Sequence, residues 1–551
     1  MAEESDRPTE VEDLDRELDK LRARAAQFRG LTPGARARLL RASLRTVVEV
    51  APEWVRAGHR AKDLPASAGE EWLAGPVPLV RYLRLLAETW ERLADGGPPL
   101  DAHRVRTVES GRVEVDVAPT SWLEPPPFWA LRAVQRMAPG ATERSVLEEA
   151  GRVHHQPGPP EVAAVLGAGT SSSLAARDAL HQLFSEGRVA VLKMSPVNEW
   201  AGPFLERALT PLVTAGYLAV AYGGPEEGRH LAAHAGVDAV HLTGSEETFA
   251  SLRGEVSHPF TGALGGVGPV VVVPGTYARS ELDAMAWTVA GMLTDNAGFN
   301  CYAASVLLLA EWWPQRRAFL DRLDAALSRV PTRLAYHPGA LARHAALTEG
   351  KRFRSLGERS LTRLPWTVIE DLDPDADERL YRMAPFCGLL GVVSLAVGEP
   401  EAFLHSATRF AEERLKGSLA ATLFVSGPFE RSASGAQALD AAIDGLTYGT
   451  VAVNTSPSSA HALMAPAWGP HASHEGSQSQ VWTHNTHLLE GIEKTVLRGP
   501  LNLAPRPRWP AGCPPYELGC RLLDMEASPS VRQLPGLTWA TLGADFRTSG
   551  W

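Results

Sequence analysis

Between residues 161 and 245 the chain repeats one pattern four times: a short apolar run, a turn of small residues, then a stretch with helical spacing. The runs are Val162–Leu166, Val189–Lys193, 218–222 and 237–242. Each is too short for a helix and carries few polar residues, so each reads as a strand covered on both faces. Strands of this kind joined by helices build a parallel, doubly wound sheet. Such a sheet binds ligands beyond the carboxyl ends of its strands, and the chain places its turn residues there. Gly167-Ala168-Gly169-Thr170 follows the first run, Gly223-Gly224 the third and Thr243-Gly244-Ser245 the fourth. Glycine lets the backbone approach a phosphate closely, and a helix N-terminus favours an anion. Ser172 occupies the third glycine place of a G-x-G-x-x-G pattern. Gly167 and Gly169 therefore read equally as a phosphate cradle or as a tight strand–helix turn.

Around this unit the pattern changes. Val11, Leu14, Leu18, Leu21, Ala25 and Phe28 fall at helical spacing, with Asp, Glu and Arg on the opposite face. Helical spacing continues through 33–94, with Trp54, Leu79, Tyr82, Leu85 and Trp90 as expected core residues. Residues 105–117 alternate around Ser110-Gly111, a hairpin signal. The Pro-rich stretch 125–160 reads as an irregular connection. A second α/β unit follows 256, with strands at 270–273, 305–309, 419–425 and Thr450–Val453 among helical stretches. Beyond 500 the chain is rich in Pro and Gly and reads as a wrapped extension. The expected division is 1–255 (N-terminal helices, hairpin and dinucleotide domain), 256–455 (catalytic domain) and 456–551 (C-terminal return and extension).

Composition excludes several classes. Of 551 residues, 44% are hydrophobic and 21% charged, as in globular chains. Lys+Arg number 54 against 64 Asp+Glu, a net charge of −10. That is no basic footprint for nucleic acid or for a membrane surface. No stretch approaches a transmembrane span. The opening MAEESDRPTEVED lacks the features of a secretory signal. Four cysteines, Cys301, Cys387, Cys513 and Cys520, are too few for a disulfide scaffold. A cytoplasmic protein with free thiols is the expectation.

Cys301 is the most informative of the four. It ends the turn Asn296-Ala297-Gly298-Phe299-Asn300 and precedes an apolar strand. A cysteine at such an edge is a candidate nucleophile. Its thiolate attacks carbonyls, and the resulting thiohemiacetal can donate hydride to a nicotinamide ring. Seven segments, in order, resemble the aldehyde dehydrogenase superfamily across roughly residues 30–500. They are Val191-Leu192-Lys193-Met194-Ser195-Pro196, Val240-His241-Leu242-Thr243-Gly244-Ser245, Ala263-Leu264-Gly265-Gly266, Gly298-Phe299-Asn300-Cys301, Ala384-Pro385-Phe386, Tyr448-Gly449-Thr450-Val451-Ala452-Val453-Asn454 and Trp468-Gly469-Pro470. The resemblance implies an α/β fold with a doubly wound NAD or NADP domain and an α/β catalytic domain. It also implies a β-arm, formed by the 105–117 hairpin and a strand near 494–497, that joins subunits into a homodimer or homotetramer. It makes Cys301 the nucleophile and puts Lys193, Gly244, Ser245, Gly265 and Phe386 at the dinucleotide, beside Gly167, Gly169, Gly223, Gly224 and Thr243.

Three departures bear on activity. The general-base glutamate of the family is Ala263 here, and general bases contribute about 10²–10⁴-fold. Thr170 falls at the place of the oxyanion asparagine, where losing one donor costs about 10²–10³-fold. Ala384 and Pro196 replace two glutamates associated with the cofactor. His258, His474 and Glu475 are the candidate substitute bases. His471 and His474 have no third ligand at metal spacing, so no metal is expected. Three readings stay open: an aldehyde dehydrogenase working through Cys301, an enzyme that passes the acyl group to coenzyme A, and a non-catalytic nucleotide-binding relative.

Overall fold

The structure, a computed structural model, describes residues 8–156, 158–471, 482–501 and 509–542. Strands β1 (Val105–Thr107), β2 (Val113–Ala118) and β3 (Arg132–Met137) precede the nucleotide-type sheet. That sheet holds β4 (Val162–Leu166), β5 (Val189–Lys193), β6 (Leu218–Ala221), β7 (Ala239–Gly244) and β8 (Phe260–Leu264), in the order β6-β5-β4-β7-β8. All its pairings are parallel. The chain runs outward from β4 to β6, then returns to place β7 on the other side of β4. The order therefore reverses between β4 and β7, the position at which such sheets open a binding crevice.

The expected boundary at 255 is too early. Phe260–Leu264 adds a fifth strand to the first sheet, with Thr243 opposite Ala263. Its sequence FTGAL is interrupted by threonine and glycine, which weakens the apolar signal.

The second sheet adds β9 (Gly268–Val272), β10 (Ala304–Ala310), β11 (Phe353–Leu356), β12 (Trp366–Leu372), β13 (Leu389–Leu395), β14 (Ala420–Phe424), β15 (Thr450–Val453) and β16 (Ile492–Arg498). Its order is β1-β2-β3-β16-β15-β14-β9-β10-β13-β12-β11. The 105–117 hairpin forms as expected, with Val105 opposite Val115. The 125–160 connection is not irregular throughout, since β3 lies in it. Its alternation is disguised because the inward polar residues are paired: Arg136 meets Glu114 at 3.1 Å, and Gln135 accepts from Thr495 Oγ1 at 3.1 Å. The arm implied by the resemblance would reach a second subunit. In this chain it joins its own catalytic sheet, β16 pairing with β3 on one side and β15 on the other.

Four helices, α1 (Val11–Arg29), α2 (Pro33–Lys62), α3 (Glu70–Ala74) and α4 (Pro76–Ala94), precede the first strand. α1, α2 and α4 share one apolar core with the first sheet, and β9, β10 and β13 centre another. The stretch beyond 500 is not only wrapped coil, because it contains the helices Tyr516–Ala527 and Leu534–Leu542. Leu518, Leu522 and Leu523 bury the inner face of the first. Gly519 permits its close approach to α3, since a Cβ there would lie 2.3 Å from that of Trp72. Among the described residues no helix is long and apolar enough to cross a membrane.

A buried charge cluster fixes this helix to α4. Arg81 binds Glu526 at 2.6 Å and Glu124 at 2.8 Å, and Arg84 binds the other oxygen of Glu526 at 2.6 Å. Arg81 Nε also donates to the Leu463 carbonyl at 2.7 Å. Removing one member of a buried pair leaves an uncompensated charge. Glu526→Ala should therefore destabilise the protein by about 3–5 kcal/mol in urea unfolding. Glu517→Ala, which removes an exposed pair with Arg521 on the same helix, should cost under about 1 kcal/mol. Equal losses would mean that the cluster does not clamp the helix.

Candidate functional site

The turn before Cys301 is held in a conformation that L-residues rarely adopt. Asn296, Ala297 and Gly298 have φ of 50°, 58° and 79°. Left-handed backbone at non-glycine residues costs about 1–3 kcal/mol each and persists where surroundings over-determine it. Here Asn296 Nδ2 donates to the Phe299 carbonyl at 3.1 Å, and Tyr336 Oη donates to Asn296 Oδ1 at 2.9 Å. Asn300 Nδ2 donates to the Asp295 carbonyl at 2.8 Å. A Cβ on Gly298 would sit 2.5 Å from the Gly388 nitrogen, so only glycine fits. The Phe299 ring packs against Tyr336, His337 and Phe386 at 4.9, 5.5 and 5.8 Å between centroids. Phe386 thus lies against the cysteine turn.

Cys301 opens on a cavity of about 740 Å³ that Thr170, Arg177, Tyr302 and His461 also line. Burial pushes the Cys301 thiol up to about 12, while the Arg177 charge pulls it down. Arg177 stands on the helix Leu174–Phe184, every residue of which is buried. Burial lowers its guanidinium to about 10, so it stays charged near neutral pH. Arg177 Nη1 lies 3.2 Å from His461 Nδ1. A guanidinium only donates, so Nδ1 accepts and the imidazole proton sits on Nε2. That nitrogen is buried without a protein partner. Burial holds His461 well below its usual value, which keeps it neutral. The cavity therefore sets a cation beside the thiol and carries, on another of its lining residues, an imidazole N–H without a protein partner. Asn198 Nδ2 donates to the carbonyls of Ala168 and Thr170, at 3.2 and 3.3 Å, and fixes the turn that carries Thr170.

The other predicted residues gather elsewhere, at the carboxyl edge of the first sheet. Gly167 and Gly169 follow β4, Lys193 ends β5, Gly223 and Gly224 follow β6, Thr243 and Gly244 end β7, and Gly265 follows β8. Gly265 N donates to the Gly244 carbonyl at 3.2 Å, with open space where its Cβ would be. Ser245 caps the helix Glu246–Arg253, accepting from Thr248 N at 3.2 Å. Thr243 Oγ1 donates to Asp178 at 2.7 Å. Burial raises the Asp178 carboxyl to about 6. Lys193 is buried, its ammonium pushed down by desolvation and drawn back up by Glu199 and Glu227.

Two pairs of these glycines are engaged by the protein itself. Gly223 N already donates to Glu199 at 2.9 Å and Gly224 N to Glu227 at 2.6 Å. Carboxylates fill the amides that a phosphate would use. A Cβ on Gly167 would meet that of Ala175 at 2.8 Å, and one on Gly169 would meet Ser195 Oγ at 3.0 Å. Both glycines serve close packing of strand, turn and helix.

No expected substitute base stands at Ala263. His258 precedes β8 and Ala263 lies near its other end, about 17 Å along an extended strand. His471 lies 3.5 Å from Glu493 on β16. His474 and Glu475 fall outside the described residues. Arg177 and His461 went unread in the sequence. The signal for Arg177 was Arg-Asp inside a helix rich in Leu and Ala, informative once no face of that helix is exposed.

Among the described residues, one cluster has metal-like composition: Asp15, His230 and His234. His234 Nδ1 accepts from Gly236 N at 2.9 Å, which puts its proton on Nε2, 3.3 Å from Asp15. An N–H in that position donates to the carboxylate rather than ligating a cation. The cluster ties α1 to the helix Pro225–Ala233.

Residues 172–358 match the aldehyde dehydrogenase family. Aminoaldehyde dehydrogenase 2 of Zea mays is 39% identical over 106 residues, 18% of this chain and 20% of that protein. Betaine aldehyde dehydrogenase 1 of Oryza sativa subsp. japonica is 36% identical over 149 residues, 25% of this chain and 27% of that one. The chain thus matches about a fifth to a quarter of the length of these curated relatives. Gamma-glutamyl-gamma-aminobutyraldehyde dehydrogenase from Burkholderia cenocepacia superimposes with a TM-score of 0.62 at 20% identity, over 88% of both chains. An indole-3-acetaldehyde dehydrogenase solved with NAD+ gives 0.60 at 17% identity, over 90% of both. At these identities the structural likeness speaks for the fold. The family match thus covers residues 172–358, and the structural likeness extends the same fold to nearly nine-tenths of the chain.

Proposed function

We propose that this chain oxidises an aldehyde through Cys301, with NAD as hydride acceptor. The observation that carries this reading is Cys301 itself, held by a strained turn at a cavity that also presents Arg177 and His461. The Cys301 thiolate attacks the carbonyl carbon, a C–S bond forms, and the carbonyl π electrons move to oxygen. Arg177 and the His461 Nε2–H supply the charge and the donor that this oxyanion requires, with the Thr170 hydroxyl beside them. A bound nicotinamide dinucleotide supplies the hydride acceptor. Lys193, Gly244, Ser245, Gly265 and Phe386 are the residues of this chain that would hold it. The thioester left on Cys301 is then released as acid by water, or as a new thioester by a thiol.

Release is the step that Ala263 compromises. Attack by water needs a base to take its proton, and Ala263 provides none. A thiol can attack as its own thiolate, which favours coenzyme A as a second acceptor. Glu199 and Glu227 beside Lys193 suit the ribose hydroxyls of NAD and repel the 2′-phosphate of NADP. An oligomer built on the arm would exchange the β15–β16 pairing between copies and keep each of its hydrogen bonds.

Four outcomes test this. In single turnover with NAD and an aldehyde, absorbance should show about one equivalent of reduced cofactor, and intact mass an acyl adduct on Cys301. Turnover should restart when coenzyme A is added, and Cys301→Ser should abolish both signals. The absence of any adduct would leave a non-catalytic relative. Ala263→Glu should speed hydrolytic release by about 10²-fold or more; no gain would mean that another group already acts as base.

Iodoacetamide should alkylate Cys301 about ten times faster per pH unit from pH 7 to 11, because the thiol sits near 12. Arg177→Met removes the charge that lowers that value, so its rate should fall from pH 7 to about 9, the difference fading above the value near 10 at which Arg177 itself loses its charge. An unchanged profile would separate Arg177 from the thiolate. NAD should bind at least about tenfold more tightly than NADP, equivalent to about 1.4 kcal/mol. Equal affinities by calorimetry would remove Glu199 and Glu227 from the cofactor site.

A further inference from the structure

We propose that the segment 509–542 is the specificity wall of the Cys301 cavity and sizes it for an aldehyde with an extended apolar body. The inference deepens the oxidation reading, because it assigns a substrate class to the same site.

The sequence marks 509–542 only as an extension beyond the ordered motifs. In the fold its side chains enter the lining of the cavity that Cys301 opens on: Leu518 and Leu522 from one helix, Thr541 and Leu542 from the next. Met285 and Met292 of the helix Arg279–Thr294 also line it, as does Phe128 ahead of β3. Besides the polar groups already described, Asn454, Thr455, Ser456, Ser458 and Ser459 give the lining one polar stretch, but most of its surface is apolar. A volume of about 740 Å³ is that of a site for a sizeable organic ligand. A two-carbon aldehyde would leave most of it to water. An alkyl or aryl body would displace that water from apolar surface, the condition under which each added methylene strengthens binding about fourfold.

The wall is held firmly. Gly69 N donates to the Pro514 carbonyl at 2.7 Å, and Tyr516 N to the Ser67 carbonyl at 2.8 Å. Arg333 donates to Cys513 Sγ at 3.0 Å and is paired with Glu70. Glu526 is fixed by Arg81 and Arg84. A wall clamped at both ends of its first helix sets a fixed limit on ligand size.

The test uses the full chain and two independent readouts. Calorimetry with straight-chain primary alcohols, ethanol to dodecanol, reports the cavity without any chemistry. Affinity should rise about fourfold per methylene before levelling off. Leu522→Trp and Thr541→Trp each fill part of the space and should weaken binding of the longest alcohols at least tenfold, lowering the chain length at which the plateau begins. Thr541 is half-buried and tolerates added bulk better than Leu522, and circular dichroism checks both folds. Affinity that ignores chain length, or tryptophan variants of unchanged profile, would overturn the proposal. The second readout is the acyl adduct on Cys301 across acetaldehyde to dodecanal, whose rate should follow the same profile. Length-dependent alcohol binding with no adduct from any aldehyde would sink the oxidation reading and keep the cavity's preference for apolar ligands.

Discussion

The Arg81 guanidinium is the point where the separate parts of this chain meet. It is almost wholly buried, and its partners come from the stretch before β3, from the carbonyl of Leu463 and from the helix Tyr516–Ala527. Buried ion pairs gain little over a packed apolar core, but they tolerate few alternative arrangements. Arg81 can be satisfied only when all three segments arrive together. The cavity next to Cys301 takes its walls from those same segments, so its shape follows from this cluster.

The site is unusual in the way its charges are disposed. A buried thiol is a poor nucleophile because burial disfavours the thiolate. Here the compensation comes from an arginine on a helix with no exposed face, turned toward a neutral histidine. This arrangement supplies positive charge and hydrogen-bond donors, while the carboxylates of the cavity lining, Glu70 and Asp295, are engaged by Arg333 and the Tyr302 hydroxyl. Under the proposed oxidation, thioester formation is thereby separated from its hydrolysis, which needs a base that Ala263 does not supply.

Much of the nucleotide-type sheet was legible in the sequence, because strands buried on both faces announce themselves as short apolar runs. Val162–Leu166, Val189–Lys193 and the helix Leu174–Phe184 lie where the pattern puts them. β8 was hidden by Thr261 and Gly262, and β3 by polar residues whose partners lie far along the chain. The turn that carries Cys301 was legible from its Asn and Gly residues. Arg177 and His461 were not, since a buried polar residue acquires meaning only from what it faces. Gly223 and Gly224 show a related limit: a glycine amide looks available until the carboxylate that accepts from it is seen.

The pairing of β3 with β16 has a consequence for how the protein is made. Gln135 and Thr495 are hydrogen-bonded across 360 positions of chain. Contacts of such sequence separation form late and slow folding. During synthesis the three-stranded arm must wait, one edge unpaired, while the whole catalytic domain emerges. An unpaired strand edge is a template for another chain. The interval between translation of β3 and of β16 is therefore when nascent copies are most exposed to mispairing, and a chaperone that shields β3 would act then.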